Sequence, residues 1–171
     1  MANRMPSLLM LPVLLFGLIG APVALAANSV LEAGTAAPDF SRADLDHRQV
    51  SMTAYRGKVV LLNFWATWCA PCISEIPRFA KWQQQYGAQG LQVIGISMDD
   101  EEQPVRAAYQ KYGLNYPVAM GDEQLGSIYG DILGLPVTFL IDKSGKIRFR
   151  HQGAVDFKIV EHEIQDLLSA R

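Results

Sequence analysis

The chain has 171 residues, half of them apolar, with 15 Lys plus Arg against 17 Asp plus Glu and two cysteines. That length suits one domain with a real core, and the net charge of −2 lacks the basic excess that neutralising nucleic-acid phosphates requires. Two cysteines neither make a dense disulfide framework nor complete a four-ligand structural zinc site, so whatever they do, they do as a pair.

The first 26 residues have the layout of a secretory signal peptide: Arg4 as a positive n-region, an uncharged apolar stretch over 8–20, and Ala24-Leu25-Ala26 as a small-residue cleavage site. The alternative is an N-terminal membrane anchor, but the apolar run is shorter than the roughly 20 residues that span a bilayer, and Pro12 and Pro22 weaken it further. Export to a bacterial periplasm would place the thiols in an oxidising compartment. Residues 27–37 are small and polar and read as a flexible lead-in, with the folded domain over 38–171.

Within that domain, 39–45 and 48–52 are expected as short strands around an Asp46-His47 turn, followed by a helical turn ending at Gly57. Residues 58–64 (KVVLLNF) are a nearly continuous apolar run, as a central strand buried on both faces requires. A helix follows with Ile73, Ile76, Phe79 and Ala80 at helical spacing, Gly87 closing it and Pro77 expected to kink it. Residues 91–97 (LQVIGIS) read as a second buried strand. The run Asp99-Asp100-Glu101-Glu102 precedes a helix to about Gly113 and suits the positive end of its dipole; it lacks the spaced ligand-and-glycine pattern of a calcium loop.

A short strand over 117–120 and a short helix over 123–129 come next. Then follow a strand over 136–142 (PVTFLID), a Lys143-Ser144-Gly145 turn and a hairpin partner over 146–151. In that partner Ile147 and Phe149 alternate with Lys146, Arg148 and Arg150, giving one apolar and one charged face of an edge strand. Asp156 is the expected N-cap of a last helix whose Phe157, Val160, Ile164, Leu167 and Leu168 follow the 3.6 period. The order of elements predicts an α/β fold, a mixed central sheet flanked by helices on both faces with an antiparallel hairpin at one edge.

The chemistry is concentrated at Trp68-Cys69-Ala70-Pro71-Cys72, between the buried strand and the helix. A Cys-x-x-Cys in this setting is a thiol redox motif. At the helix start the Cys69 sulfur lies beside unpaired backbone N–H groups and the positive dipole end, which favour thiolate and make it the nucleophile. Cys72, one turn on, is placed to attack a mixed disulfide on Cys69 and release the substrate. Pro71 fits the first turn, where a missing N–H is tolerated. Trp68 supplies an apolar rim for docking partners, and Trp65 is core.

Other uses of two cysteines fit less well. A purely structural disulfide would close too short a loop to remove much unfolded-chain entropy, and His47, His151 and His162 are scattered without metal-ligand spacing. Haem attachment needs histidine where Ile73 stands, and a thiol peroxidase needs threonine or serine where Ala66 stands. No cofactor or metal is called for. Two alternatives stay open: a thiol oxidant of the same fold, and a Cu(I)-handling module in which both thiolates bind that soft ion.

Several segments together resemble the TlpA/ResA-type thioredoxin-like proteins: Gly34-x-x-Ala37-Pro38-Asp39-Phe40, the run from Tyr55 to Cys72, Glu75-x-Pro77, and Gly134-Leu135-Pro136-Val137-Thr138-Phe139. The resemblance implies a thioredoxin fold with an N-terminal hairpin and a central helix-strand insertion near 102–120. It also implies an extracytoplasmic thiol reductase of protein disulfides. Pro136 matches the family's cis-proline, which would leave the backbone of Leu135 free to pair with an extended substrate segment. Glu75 matches the family's glutamate one turn beyond the second cysteine, where it could hold or relay the proton that Cys72 must lose. Asn63 stands where thioredoxin itself has a buried aspartate, and asparagine cannot accept that proton. Compartment and resemblance together imply a transmembrane thiol reductase as electron donor, with disulfide-bonded proteins such as apocytochrome c or copper-site proteins as targets.

Overall fold

The computed structural model describes residue 31 and residues 33–170, so the signal peptide read over 1–26 lies outside the described residues. Among those described, no helix is long and apolar enough to cross a membrane.

The chain enters through a hairpin of β1 (Ser41–Ala43) and β2 (Gln49–Ser51). Its turn is held by Asp44, whose Oδ1 accepts from the N–H groups of Asp46 at 2.9 Å and Arg48 at 2.7 Å, while His47 takes the left-handed conformation at φ 63°. A 3₁₀ turn over Thr53–Tyr55 then leads to β3 (Val59–Trp65), in which every residue is buried. Such a run is satisfied only in the middle of a sheet covered on both sides. The crossover helix α1 (Ala70–Tyr86) returns the chain to β4 (Leu91–Ser97), which pairs with β3 in parallel from Val59↔Leu91 to Trp65↔Ser97.

The segment that follows, α2 (Glu102–Lys111) and β5 (Val118–Met120), adds a parallel edge strand beside β4. After α3 (Glu123–Ile128), β6 (Val137–Ile141) runs antiparallel along the other side of β3. β7 (Ile147–Gln152) forms the far edge, and α4 (Phe157–Ser169) closes the fold with Asp156 accepting from the N–H groups of Lys158 and Ile159. The sheet order is β5-β4-β3-β6-β7.

Alternation along the strands divides the interior into two cores. Leu61, Trp65, Val93 and Leu140 face α1, α2 and α4, packing with Phe79, Trp82, Val105 and Ile164. Leu62, Phe64, Ile94 and Phe139 face the other way, toward α3 and the N-terminal hairpin, with Tyr129, Phe40 and Val50. Gly95 has a packing reason: a Cβ there would lie 3.0 Å from Trp65 Nε1 and 3.2 Å from Val118 Cγ2.

Three local expectations need revision. The packed fold begins before Pro38, because Gly34 N–H donates to Ile147 O at 2.7 Å, Ile147 N–H to Thr35 O at 2.9 Å and Ala37 N–H to Gly145 O at 2.9 Å. The lead-in is therefore tied down from Gly34, where it covers part of the β7 edge. Ile147 and Phe149 do not share a face: a register shift pairs Ile147 with Ile141 and Phe149 with Leu140. This bulge turns Ile147 to one core and Phe149 to the other. The acidic run also divides. Glu102 sits in the first turn of α2, whereas Asp99 is buried and bonds to the chain after β3.

Asn63 and Thr138 are opposed across β3 and β6 and are both buried, with Asn63 Nδ2 donating to Thr138 Oγ1 at 3.0 Å. Thr138→Val strips that donor of its acceptor and is expected to destabilise the protein by about 1–3 kcal/mol, whereas Thr138→Ser should stay within about 1 kcal/mol of wild type. Urea unfolding midpoints at constant slope measure both.

Candidate active site

At the end of β3 the chain changes from fully buried to exposed within three residues. Ala66 is buried, Thr67 is partly covered and Trp68 is 70% exposed. Cys69 then turns inward with extended backbone as the N-cap of α1, and its Sγ accepts from Cys72 N–H at 3.3 Å. Pro71 occupies the first turn, where it costs no helical hydrogen bond. Cys69 and Cys72 are joined in a disulfide, with Cys69 6% and Cys72 1% exposed. Cys69 thus lies at the end of the helix where backbone N–H groups and the dipole favour a sulfur anion. Cys72 is further inside.

The antiparallel pairing of Phe64 with Val137 brings the start of β6 to the same end of the sheet. There the Leu135–Pro136 peptide is cis, Pro136 is buried, and Leu135 is partly buried against both cores. The backbone N–H and C=O of Leu135 make no hydrogen bond among the described residues, whereas Pro136 O accepts from Gly153 N–H at 2.8 Å. The sheet thereby gathers Trp68, Cys69, Leu135 and Pro136 at one end. Leu133, two residues before Leu135, is 92% exposed.

Glu75 is not a solvated surface carboxylate. It shares the buried face of α1 with Cys72, Ile76 and Phe79 and is 1% exposed. Its Oε1 accepts from Val155 N–H, in the loop before α4, at 2.8 Å, while its Oε2 is buried with no partner. Burial pushes the Glu75 carboxyl above the usual carboxylate range; the Val155 N–H and the charge of His151 pull it partly back. A carboxyl in that setting holds a proton more readily than an exposed one. His151 belongs to the same region: it is the register partner of Thr138, and its Nε2 lies 2.7 Å from Glu163 Oε2.

Sequence reasoning missed the residues that brace the approach to Cys69. Thr67 N–H and hydroxyl both donate to Asp99, at 2.9 and 2.5 Å, and the buried Ser97 hydroxyl donates to the same carboxylate at 2.7 Å. The available signal was a Ser-x-Asp at the end of a buried strand, polar groups where the apolar run stops. Among the described residues no cluster of three His, Cys, Asp or Glu side chains is gathered as a metal site.

Comparison with known proteins agrees with this geometry. The family model described as AhpC/TSA family matches residues 33–150. The thiol-disulfide oxidoreductase ResA of Geobacillus thermodenitrificans is 33% identical over 141 residues, covering 82% of this chain and 80% of that protein. The thioredoxin-like protein YneN of Bacillus subtilis is 35% identical over 137 residues, 78% of this chain and 79% of its own. Among solved structures, a thiol:disulfide interchange protein of the thioredoxin family from Chlorobium tepidum superposes with a TM-score of 0.73 at 31% identity, covering 79% of this chain and 97% of that one. The chain belongs to the AhpC/TSA family and, within it, to the ResA-like thiol-disulfide oxidoreductases of thioredoxin fold.

Proposed function

We propose that this oxidoreductase works as an exported reductant of protein disulfides, using Cys69 as nucleophile and Cys72 as resolving thiol. The observation that carries the proposal is the joined pair at the N-terminus of α1, with Cys69 at the N-cap and slightly more exposed than Cys72. In the dithiol form the Cys69 thiolate attacks a substrate disulfide, forming a mixed disulfide and expelling the first substrate sulfur as a thiolate. Cys72 then gives up its proton and attacks Cys69 Sγ. The Cys69–Cys72 bond forms, the second substrate sulfur leaves, and two electrons have passed to the substrate.

Each surrounding group has a role in that sequence. Glu75 accepts the Cys72 proton; its raised pKa brings it closer to a thiol's, and its unpaired Oε2 is free to take the proton. Asn63 cannot do so, and it is already bonded to Thr138. Trp68 and Leu135 form the apolar docking rim, and the unbonded backbone of Leu135 beside Pro136 accepts an extended substrate segment by strand addition. The apolar stretch and Ala24-Leu25-Ala26 at the N-terminus support export by a cleaved signal peptide. An exported reductant needs electrons from across the membrane, which makes a transmembrane thiol reductase the donor and oxidised protein thiols, such as apocytochrome c or copper-site cysteines, the targets.

Reduction of insulin disulfides by the dithiol protein tests the reaction. Cys69→Ser is expected to abolish it, and retained turnover would overturn the assignment of the nucleophile. Cys72→Ser is expected to accumulate mixed disulfides through Cys69, seen as higher-mass species on non-reducing gels. If Cys72→Ser traps no partner, resolution does not run through Cys72.

Glu75→Gln keeps the shape of the side chain and removes the base. It is expected to lengthen the life of the mixed disulfide by about 100-fold, the lower end of what a general base contributes. In wild type the resolving step should quicken as pH rises through the raised Glu75 value, and the variant should lose that inflection. Stability has the opposite sign. The folded protein holds the Glu75 proton more tightly than the unfolded chain, so its contribution is present below the ordinary carboxylate value and lost as pH rises through the raised one. Denaturation midpoints across that range should show this slope in wild type and a reduced one in Glu75→Gln.

A further inference from the structure

The ladder between β3 and β4 ends at Trp65↔Ser97, with one more bond beyond it from Met98 N–H to Trp65 O at 2.8 Å. The next donors on the β3 side belong to Thr67, and the sheet offers them no carbonyl. Asp99 supplies the acceptors instead. Its Oδ2 takes the Thr67 N–H at 2.9 Å and the Ser97 hydroxyl at 2.7 Å, and its Oδ1 takes the Thr67 hydroxyl at 2.5 Å. The same Ser97 oxygen accepts from Asp99 N–H at 3.2 Å, so the carboxylate is held at both ends of its own residue. Ser97 is fully buried and Asp99 is 8% exposed, which shields these bonds from competing water.

Resting on the assignment of Cys69 as the exchanging thiol, we propose that Asp99 is a positioning residue for exchange: braced by Ser97, it locks Thr67 and so fixes how Trp68 and Cys69 leave the sheet. Thr67 stands two residues before the nucleophile, and Cys69 N–H closes the same turn onto Ala66 O at 3.2 Å. The backbone between buried Ala66 and the start of α1 is thus pinned on one side by a carboxylate and on the other by the helix. Exchange requires the attacking sulfur to meet the target disulfide in a narrow range of distance and direction. A loop able to swing would present Cys69 over a wider range, and Trp68 with it. The clamp gives α1 and the docking rim one fixed relation.

Thr67→Val removes the hydroxyl donor while keeping a branched side chain, and Thr67→Ser keeps the donor. The probe is 5,5′-dithiobis(2-nitrobenzoate), mixed with the dithiol form of the full domain and followed by stopped-flow absorbance. This small disulfide is attacked whether or not the protein reduces protein disulfides, so the ratio of variant to wild type decides the clamp separately from the direction of electron flow. Thr67→Val is expected to react about tenfold more slowly, the loss of one charge-assisted hydrogen bond, and Thr67→Ser to recover to within about twofold of wild type. A Thr67→Val rate within twofold of wild type would overturn the proposal, as would a Thr67→Ser rate as low as that of Thr67→Val. Should Thr67→Val not fold, Asp99→Asn, which keeps the shape but offers one acceptor oxygen in place of two, replaces it with the same expected loss and the same overturning result.

Discussion

The full burial of β3 is the constraint on which the rest depends. Seven consecutive buried residues need a strand on each side and a layer on each face, and the chain supplies them as β4, β6, the α1 and α4 side and the hairpin and α3 side. Once β3 is central, its last residue lies at the middle of one end of the sheet. The crossover that must follow a parallel strand begins there, so the start of α1 and the cysteine at its N-cap are brought to the same end as the Leu135–Pro136 turn entering β6. The redox pair is thus placed by topology before any side chain of the site makes a bond.

Around that placement the polar groups divide into two sets. Beneath α1, Glu75 is held by Val155 N–H with one oxygen left unpaired, and Asn63 and Thr138 satisfy each other. The buried carboxyl therefore comes from the helix and not from the central strand. Beyond the end of the sheet, Ser97 and Asp99 brace Thr67. In the proposed mechanism one set bears on the proton of the buried thiol and the other on the direction of the outer one, so the two halves of a dithiol exchange would draw on different residues.

Much of this was legible in the residues. The continuous apolar runs identified β3 and β4 because a strand buried on both faces leaves no other pattern, and Asp156 and the 3.6 period located α4. Helix-start reasoning placed Cys69 at the N-cap of α1, and the family resemblance carried the cis peptide at Pro136 and singled out Glu75, which proves to be buried on that helix. What stayed hidden depended on distant partners. A helical glutamate three residues from a cysteine reads equally as solvated or buried until Val155, 80 positions away, is seen to donate to it. Asp99 looked like part of a helix-dipole charge run because its partner Thr67 is 32 positions back. The bulge in β7 reversed the facing of Ile147 relative to Phe149, and alternation by itself contains no signal for one extra residue.

The proposed direction of flow is from the Cys69–Cys72 pair to other proteins. Alkylation of the pair in living cells, with acid quenching and a mass-shifting thiol reagent, tests it most directly, in wild-type cells and in cells lacking the proposed transmembrane thiol reductase. The expected result is a mostly reduced pair in wild type that becomes oxidised when the donor is lost. A pair that is mostly oxidised in wild-type cells would contradict it and make the protein an oxidant.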